Sequence, residues 1–138
     1  MRVFLDTNIL LDILLNRAEL VEESSAVILL CESSRHEMFI AWHGLATAYY
    51  LLRRGRSEAA AQLEVAKILS WAKVAEVSDA SAREALSLDF GDFEDALQVV
   101  AASACGANCI VTRNLSDFLK SATTALTPRQ FIDRFSAK

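Results

Sequence analysis

The 138 residues include one proline and four glycines, too few for a flexible linker or a low-complexity tract. Cysteine is scarce and odd in number: Cys31, Cys105 and Cys109, with no Cys-x-x-Cys pair. A structural zinc site wants four Cys or His ligands at recognisable spacing, and His36 and His43 do not complete one. The thiols are therefore expected to be buried and reduced, as in a cytosolic protein. No apolar run approaches the roughly 20 residues that span a bilayer. Nor does the N-terminus look like a secretory signal, since Asp6 interrupts what would be its apolar region and no cleavage pattern follows. These absences predict a soluble, cytoplasmic protein with no membrane partner. Positive charge is also short: 14 Lys and Arg against 18 Asp and Glu give a net charge of −4. That argues against a broad basic surface for non-specific nucleic-acid binding. It leaves room for an acidic site that recruits cations.

What is present is a hydrophobic fraction of 53 % with 23 % charged residues, the balance of a globular core. A single domain over residues 1–138 fits, large enough to fold without disulfides or a structural metal. Short apolar runs at Arg2–Leu5, Met38–Ala41, Lys73–Val77 and Cys109–Val111 read as buried strands. Helical spacing covers Thr7–Leu15, Leu20–Cys31, His43–Arg54, Ser57–Trp71, Asp79–Leu88 and Phe93–Ala104. Glu22, Glu23 and Ser24 are placed on the wet face of the second of these. Thr127-Pro128-Arg129-Gln130 is a capping box that opens a last helix. Strands alternating with helices predict an α/β three-layer sandwich, a mainly parallel sheet of four to five strands with helices on both faces. In such sheets ligands bind beyond the carboxyl ends of the strands, which draws attention to Asp6, Thr7 and Asn8 and to Thr112, Arg113 and Asn114.

Each candidate has a plain structural reading. Asp6 could simply cap the helix after the first strand, and Asp92 sits where an N-cap is favoured, three residues before Asp95. His43 fits a half-buried, hydrogen-bonded histidine better than a catalytic one. Tyr49 and Tyr50 could stack on a base but at helical spacing read as core. Arg53, Arg54 and Arg56 could meet phosphates, and a solvated helix end explains them equally well.

Read together, the segments are more specific. Asp6-Thr7-Asn8 at the start, Asp92-Phe93-Glu94-Asp95-Ala96-Leu97 opening a later helix, and Ile110-Val111-Thr112-Arg113-Asn114 followed by Asp117-Phe118 occur in the order and spacing of one family. The chain resembles a PIN domain, the VapC-like ribonuclease fold of many bacterial toxin–antitoxin toxins, and the resemblance covers essentially its whole length. It implies a Rossmann-like, PIN-like sheet with acidic residues at its carboxyl edge holding Mg2+ or Mn2+, so that metal-activated water cuts an RNA phosphodiester. By position, Asp6 matches the first acid and Asp95 the third. The fourth falls on Thr112 to Asp117, where Asn114 occupies a place often held by aspartate and Asp117 is the nearest carboxylate. Catalytic and metal roles are thus implied for Asp6, Asp95 and Asp117, with Asp92 a further metal candidate. Thr7, Asn8, Thr47, Thr112 and Asn114 would support the cluster, and Arg113 would meet phosphate. The same resemblance implies a homodimer, an RNA substrate and a small antitoxin partner.

One departure stands out. The family keeps a glutamate on the helix after the second strand, in a segment resembling Leu-Ala-Glu, whereas this chain has Leu45-Ala46-Thr47 and no acid from Ile40 to Leu52. The chain thus resembles a subgroup lacking the second acid. A degenerate PIN domain that binds RNA or a protein without cutting is the alternative. An aspartate-nucleophile phosphatase would want an aspartate where Asn8 stands, and a receiver domain would want paired acids before its phosphorylated aspartate.

Overall fold

Val3, Phe4 and Leu5 are wholly buried because strand β1 (Arg2–Leu5) is the middle strand of a parallel sheet covered on both faces. The computed structural model describes residues 1–137. Around β1 stand β2 (Glu37–Ile40), β3 (Ala72–Val74), β4 (Cys109–Val111) and β5 (Thr124–Leu126), in the order β3-β2-β1-β4-β5. Every neighbouring pair is parallel; Phe4, for example, faces Phe39 on one side and Ile110 on the other. The helices are α1 (Thr7–Leu14), α2 (Val21–Ser33), α3 (Trp42–Leu52), α4 (Glu58–Trp71), α5 (Asp79–Ser87), α6 (Phe93–Ala104) and α7 (Pro128–Phe135).

Alternation along the strands separates two cores. Val3, Leu5, Met38, Ile40, Cys109 and Val111 face one layer and pack with Ile9, Leu10, Val27, Leu52, Ile68 and Phe131. Phe4, Phe39 and Ile110 face the other, against Val99, Ala101, Ala102 and Phe118. All three cysteines are buried and unpaired, and burial pushes the Cys31 thiol up to about 12 and that of Cys109 to about 11. Among the described residues no helix is long and apolar enough to cross a membrane.

The helix boundaries follow local chemistry. Ser57 caps α4 through Ala60 N–H, and Thr127 and Gln130 form the expected reciprocal box at α7. Gly55 adopts φ +75° just beyond α3, a conformation that glycine reaches without penalty. Other expectations need correction. Ser24 is fully buried, not on the wet face, because its hydroxyl donates to the buried Asp12 carboxylate. Tyr49 packs half-buried against the first core, but Tyr50 is exposed with the Arg54 guanidinium over its ring. The third strand stops at Val74, and a fifth, Thr124–Leu126, completes the sheet beside β4.

Gly44 lies at a close contact. A Cβ there would lie 2.5 Å from Thr7 Oγ1, so a larger residue would force the Thr7 hydroxyl, or α3 itself, to shift. Gly44→Ala is expected to destabilise the fold by about 1–3 kcal/mol, the usual cost of overpacking. Urea unfolding would measure it, and a change within about 0.5 kcal/mol, the scatter of ordinary surface substitutions, would contradict the close contact.

Candidate metal centre

The chain runs from β1 outward to β2 and β3, then returns to place β4 on the opposite side of β1. The strand order therefore reverses at the carboxyl ends of β1 and β4, the position where open parallel sheets form a crevice. Asp6 follows β1 and Thr112 follows β4. Asp6 N–H donates to the Val111 carbonyl (3.0 Å), and Thr112 Oγ1 donates to Asp6 Oδ2 (2.7 Å).

Asp6 is only 3 % exposed, and three donors hold it. Besides Thr112, Gln98 Nε2 donates to Oδ1 at 2.7 Å and Asn8 N–H reaches the same oxygen at 3.4 Å. Asp6 is thus both the N-cap of α1 and a fixed carboxylate at the switch point. Burial raises its carboxyl above the ordinary value, opposed by the hydrogen bonds from Thr112 and Gln98. Thr7 N–H donates to Gln98 Oε1 at 3.1 Å, and Asn114 N–H to Thr112 Oγ1 at 3.0 Å. Thr7, Asn8, Thr112 and Asn114 therefore surround Asp6 as a hydrogen-bonded frame.

The remaining acids gather at the start of α6. Asp92 caps that helix by accepting from Glu94 N–H at 2.8 Å, so the capping expectation holds. Carboxylate oxygens of Asp92, Glu94 and Asp95 lie within 4.8 Å of one another. Asp117, carried on the 3-10 turn Leu115–Phe118, joins Asp92 and Asp95 along a cleft of about 350 Å³ that Ser116 and Lys120 also line. The Asp95 carboxyl is pushed up to about 7, first by burial and then by repulsion from Asp117, Glu94 and Asp92. Such crowding of like charge is what a bound cation relieves.

Three side chains that the sequence reading did not assign to the site belong to it. Gln98, 1 % exposed, joins Asp6 to Glu94; its Nε2 lies 3.0 Å from Glu94 Oε1. His43 Nε2 meets the same Glu94 oxygen at 3.1 Å, and this contact holds the Glu94 carboxyl below its ordinary value. Lys120 lies on the cleft, with its ammonium on the Asp89 carbonyl and carboxylate. Gln98 lies four residues after Glu94 on one helix face, which was a readable signal; His43 is half-buried and hydrogen-bonded as expected, but nothing local named Glu94 as its partner.

Two other expected members make different contacts. Thr47 is exposed and its hydroxyl donates to the His43 carbonyl (3.1 Å) within α3. Arg113 is tied through Nε to Asp12 Oδ2 at 2.8 Å, away from the residues that line the cleft. Asp12 has no exposure at all; Ser24 donates to the same oxygen, and Arg17 Nη1 stands 3.6 Å from the other.

Asp6 at the switch point of this α/β sheet, joined through Gln98 and Glu94 to the acids beside the cleft, makes a candidate metal centre. A PIN domain family profile matches residues 2–116, and the chain belongs to that family. Members of this family generally depend on a divalent metal. VapBC2 from Rickettsia felis, solved bound to a DNA fragment from its promoter, contains a chain with the same fold. It superposes with a TM-score of 0.70 at 18 % identity, covering 92 % of this chain and 98 % of that one. VapBC-1 from nontypeable Haemophilus influenzae matches equally, with a TM-score of 0.70, 13 % identity and coverage of 94 % and 99 %. A search of curated proteins finds no match.

Proposed function

We propose that this PIN domain is a metal-dependent ribonuclease and the toxin half of a type II toxin–antitoxin pair. The observation that carries the reading is the crowding of Asp92, Glu94, Asp95 and Asp117 beside one cleft, with Gln98 joining Glu94 to Asp6 at the switch point. The donors are carboxylates, the hard oxygen ligands that suit Mg2+ or Mn2+. Asp95, Asp117 and Asp92 would hold the ion, with Asp6 anchoring the sheet side of the cluster. When bound, such an ion activates water for attack on a phosphodiester and offsets the charge that develops there.

The residues supply the rest. Thr112, Gln98 and Asn8 keep the Asp6 carboxylate from rotating, so little reorganisation is needed when charge develops beside it. Lys120, which lines the cleft, is the cation best placed for a phosphate oxygen; Arg113 is engaged with Asp12 instead. The VapBC neighbours support a small antitoxin partner. An apolar groove between α3 and α4, lined by Trp42, Leu45, Ala46 and Tyr49, offers a surface for it or for a second copy in a homodimer.

The test is cleavage of RNA by the purified chain with MgCl2 or MnCl2, abolished by EDTA and restored by excess metal. RNA that binds but survives intact at millimolar Mn2+ would support the second reading, a degenerate domain that binds without cutting. Thr47 and Asn114, both uncharged, favour that alternative.

A further inference from the structure

Helix α3 brings no carboxylate to the site, yet it does reach the site. His43, one turn before Thr47, places Nε2 on Glu94 Oε1 at 3.1 Å, while the Thr47 hydroxyl is spent on the His43 carbonyl. Gln98 holds the same carboxylate, its Nε2 within reach of both Glu94 oxygens. The orientation of that buried amide follows from Thr7, whose backbone N–H can only donate and therefore identifies the atom 3.1 Å away as Oε1. Nε2 must then face the acids, and it contacts Asp6 Oδ1 at 2.7 Å and Glu94 at 3.0 and 3.3 Å. One nitrogen thus brings together carboxylates 88 positions apart in the chain, Asp6 and Glu94.

Glu94 also lies within the 4.8 Å group it forms with Asp92 and Asp95. It is the acid that connects the sheet side of the site to the cleft side. An acid in the first turn of a helix has an ordinary use, easing the helix dipole. That use needs neither a wholly buried glutamine nor a histidine from another helix. The carboxylate is nevertheless half-exposed, so a cation can reach it.

We propose that Glu94, positioned by Gln98 and His43, supplies the carboxylate that α3 lacks at Thr47. The proposal rests on the metal-dependent reading above. Glu94 would act as a direct ligand, with Gln98 and His43 as positioning residues.

Isothermal titration of the metal-free chain with MnCl2 tests this. Glu94→Gln is expected to weaken Mn2+ binding by about tenfold or more, a loss typical of a disturbed metal shell. Thermal melts in EDTA should show the variant as well folded as the parent. Adding Thr47→Glu to Glu94→Gln should recover most of the lost affinity, because it returns a carboxylate to α3. Binding by Glu94→Gln within about twofold of the parent would overturn the proposal, that being too small a change for a lost ligand. If Asp6→Asn and Asp95→Asn lose binding in that case, the metal reading survives alone. A double variant no better than Glu94→Gln would also overturn it. A parent chain that binds no Mn2+ at millimolar concentration removes both.

Discussion

Asp95→Asn is expected to abolish metal-dependent cleavage while making the metal-free protein more stable at neutral pH. Loss of activity should reach about two orders of magnitude, the scale on which removing one group that stabilises developing charge is felt. The stability change has the opposite sign because Asp95 is strained by its neighbours. Its carboxyl is pushed up to about 7 from an ordinary 3.8, with burial first and the charges of Asp117, Glu94 and Asp92 next. A carboxyl raised in the folded state binds its proton more tightly there than in the unfolded chain. Stability therefore falls as pH rises from about 4 to about 7, and the full penalty stands above that window. Asparagine carries no such penalty. The gap between variant and parent should be near zero at pH 4 and widest at pH 8. Because Asp95 is only half-buried, solvent screening trims the gap to roughly 1 kcal/mol, a few degrees in Tm. Mn2+ should then raise the Tm of the parent and leave the variant unchanged. Melts with and without EDTA across this pH range check the sign, and a variant less stable than the parent at pH 8 would refute it.

The second large effect lies away from the cleft. Asp12→Ala should cost about 3 kcal/mol, since it leaves the partners of a fully buried carboxylate without their counter-charge. Asp12 Oδ2 accepts from Arg113 Nε and from Ser24 Oγ, joining α1 to α2 and to the loop after β4. Oδ1 has no hydrogen-bond partner; Arg17 stands 3.6 Å off, an electrostatic contact only. The network therefore contains an imperfection, and replacing the whole ion pair should hurt less than breaking it. In a cycle with Arg113→Met, the double variant is expected to be more stable than the sum of the single losses predicts. Strict additivity in urea unfolding would mean that the two side chains do not act together. The loop held this way carries Thr112, whose hydroxyl fixes Asp6, so Asp12→Ala should also weaken metal binding.

The sequence was most legible where chemistry is local. Buried strands at Arg2–Leu5 and Cys109–Val111, the cap at Asp92 and the box at Thr127 and Gln130 each depend on residues within a few positions of one another. The order of Asp6, Asp95 and Asp117 came from the resemblance to a family and not from local chemistry, since Asp95 lies in the first turn of α6 and Asp117 inside a 3-10 turn. β5 escaped notice because Thr124–Leu126 is a short, half-exposed edge strand with no strong apolar run. Ser24 and Tyr50 were misassigned for a related reason. A weakly amphipathic helix does not say which face its neighbours will cover.

What could not be read from residue order is the set of contacts made across the sheet. Gln98 meets Asp6 over 92 positions, His43 meets Glu94 over 51, and Arg113 meets Asp12 over 101. The pairs of Asp6 and Asp12 depend on β4 and α6 lying beside β1, and that of His43 on α6 packing against the sheet next to β2, a matter of topology and not of local spacing. Pattern and capping chemistry settle which elements form and which acids end them. Placing Glu94 next to Asp6, and Arg113 on Asp12 instead of on the cleft, required the chain to be folded, since a buried polar group takes whichever partner the packing brings within reach.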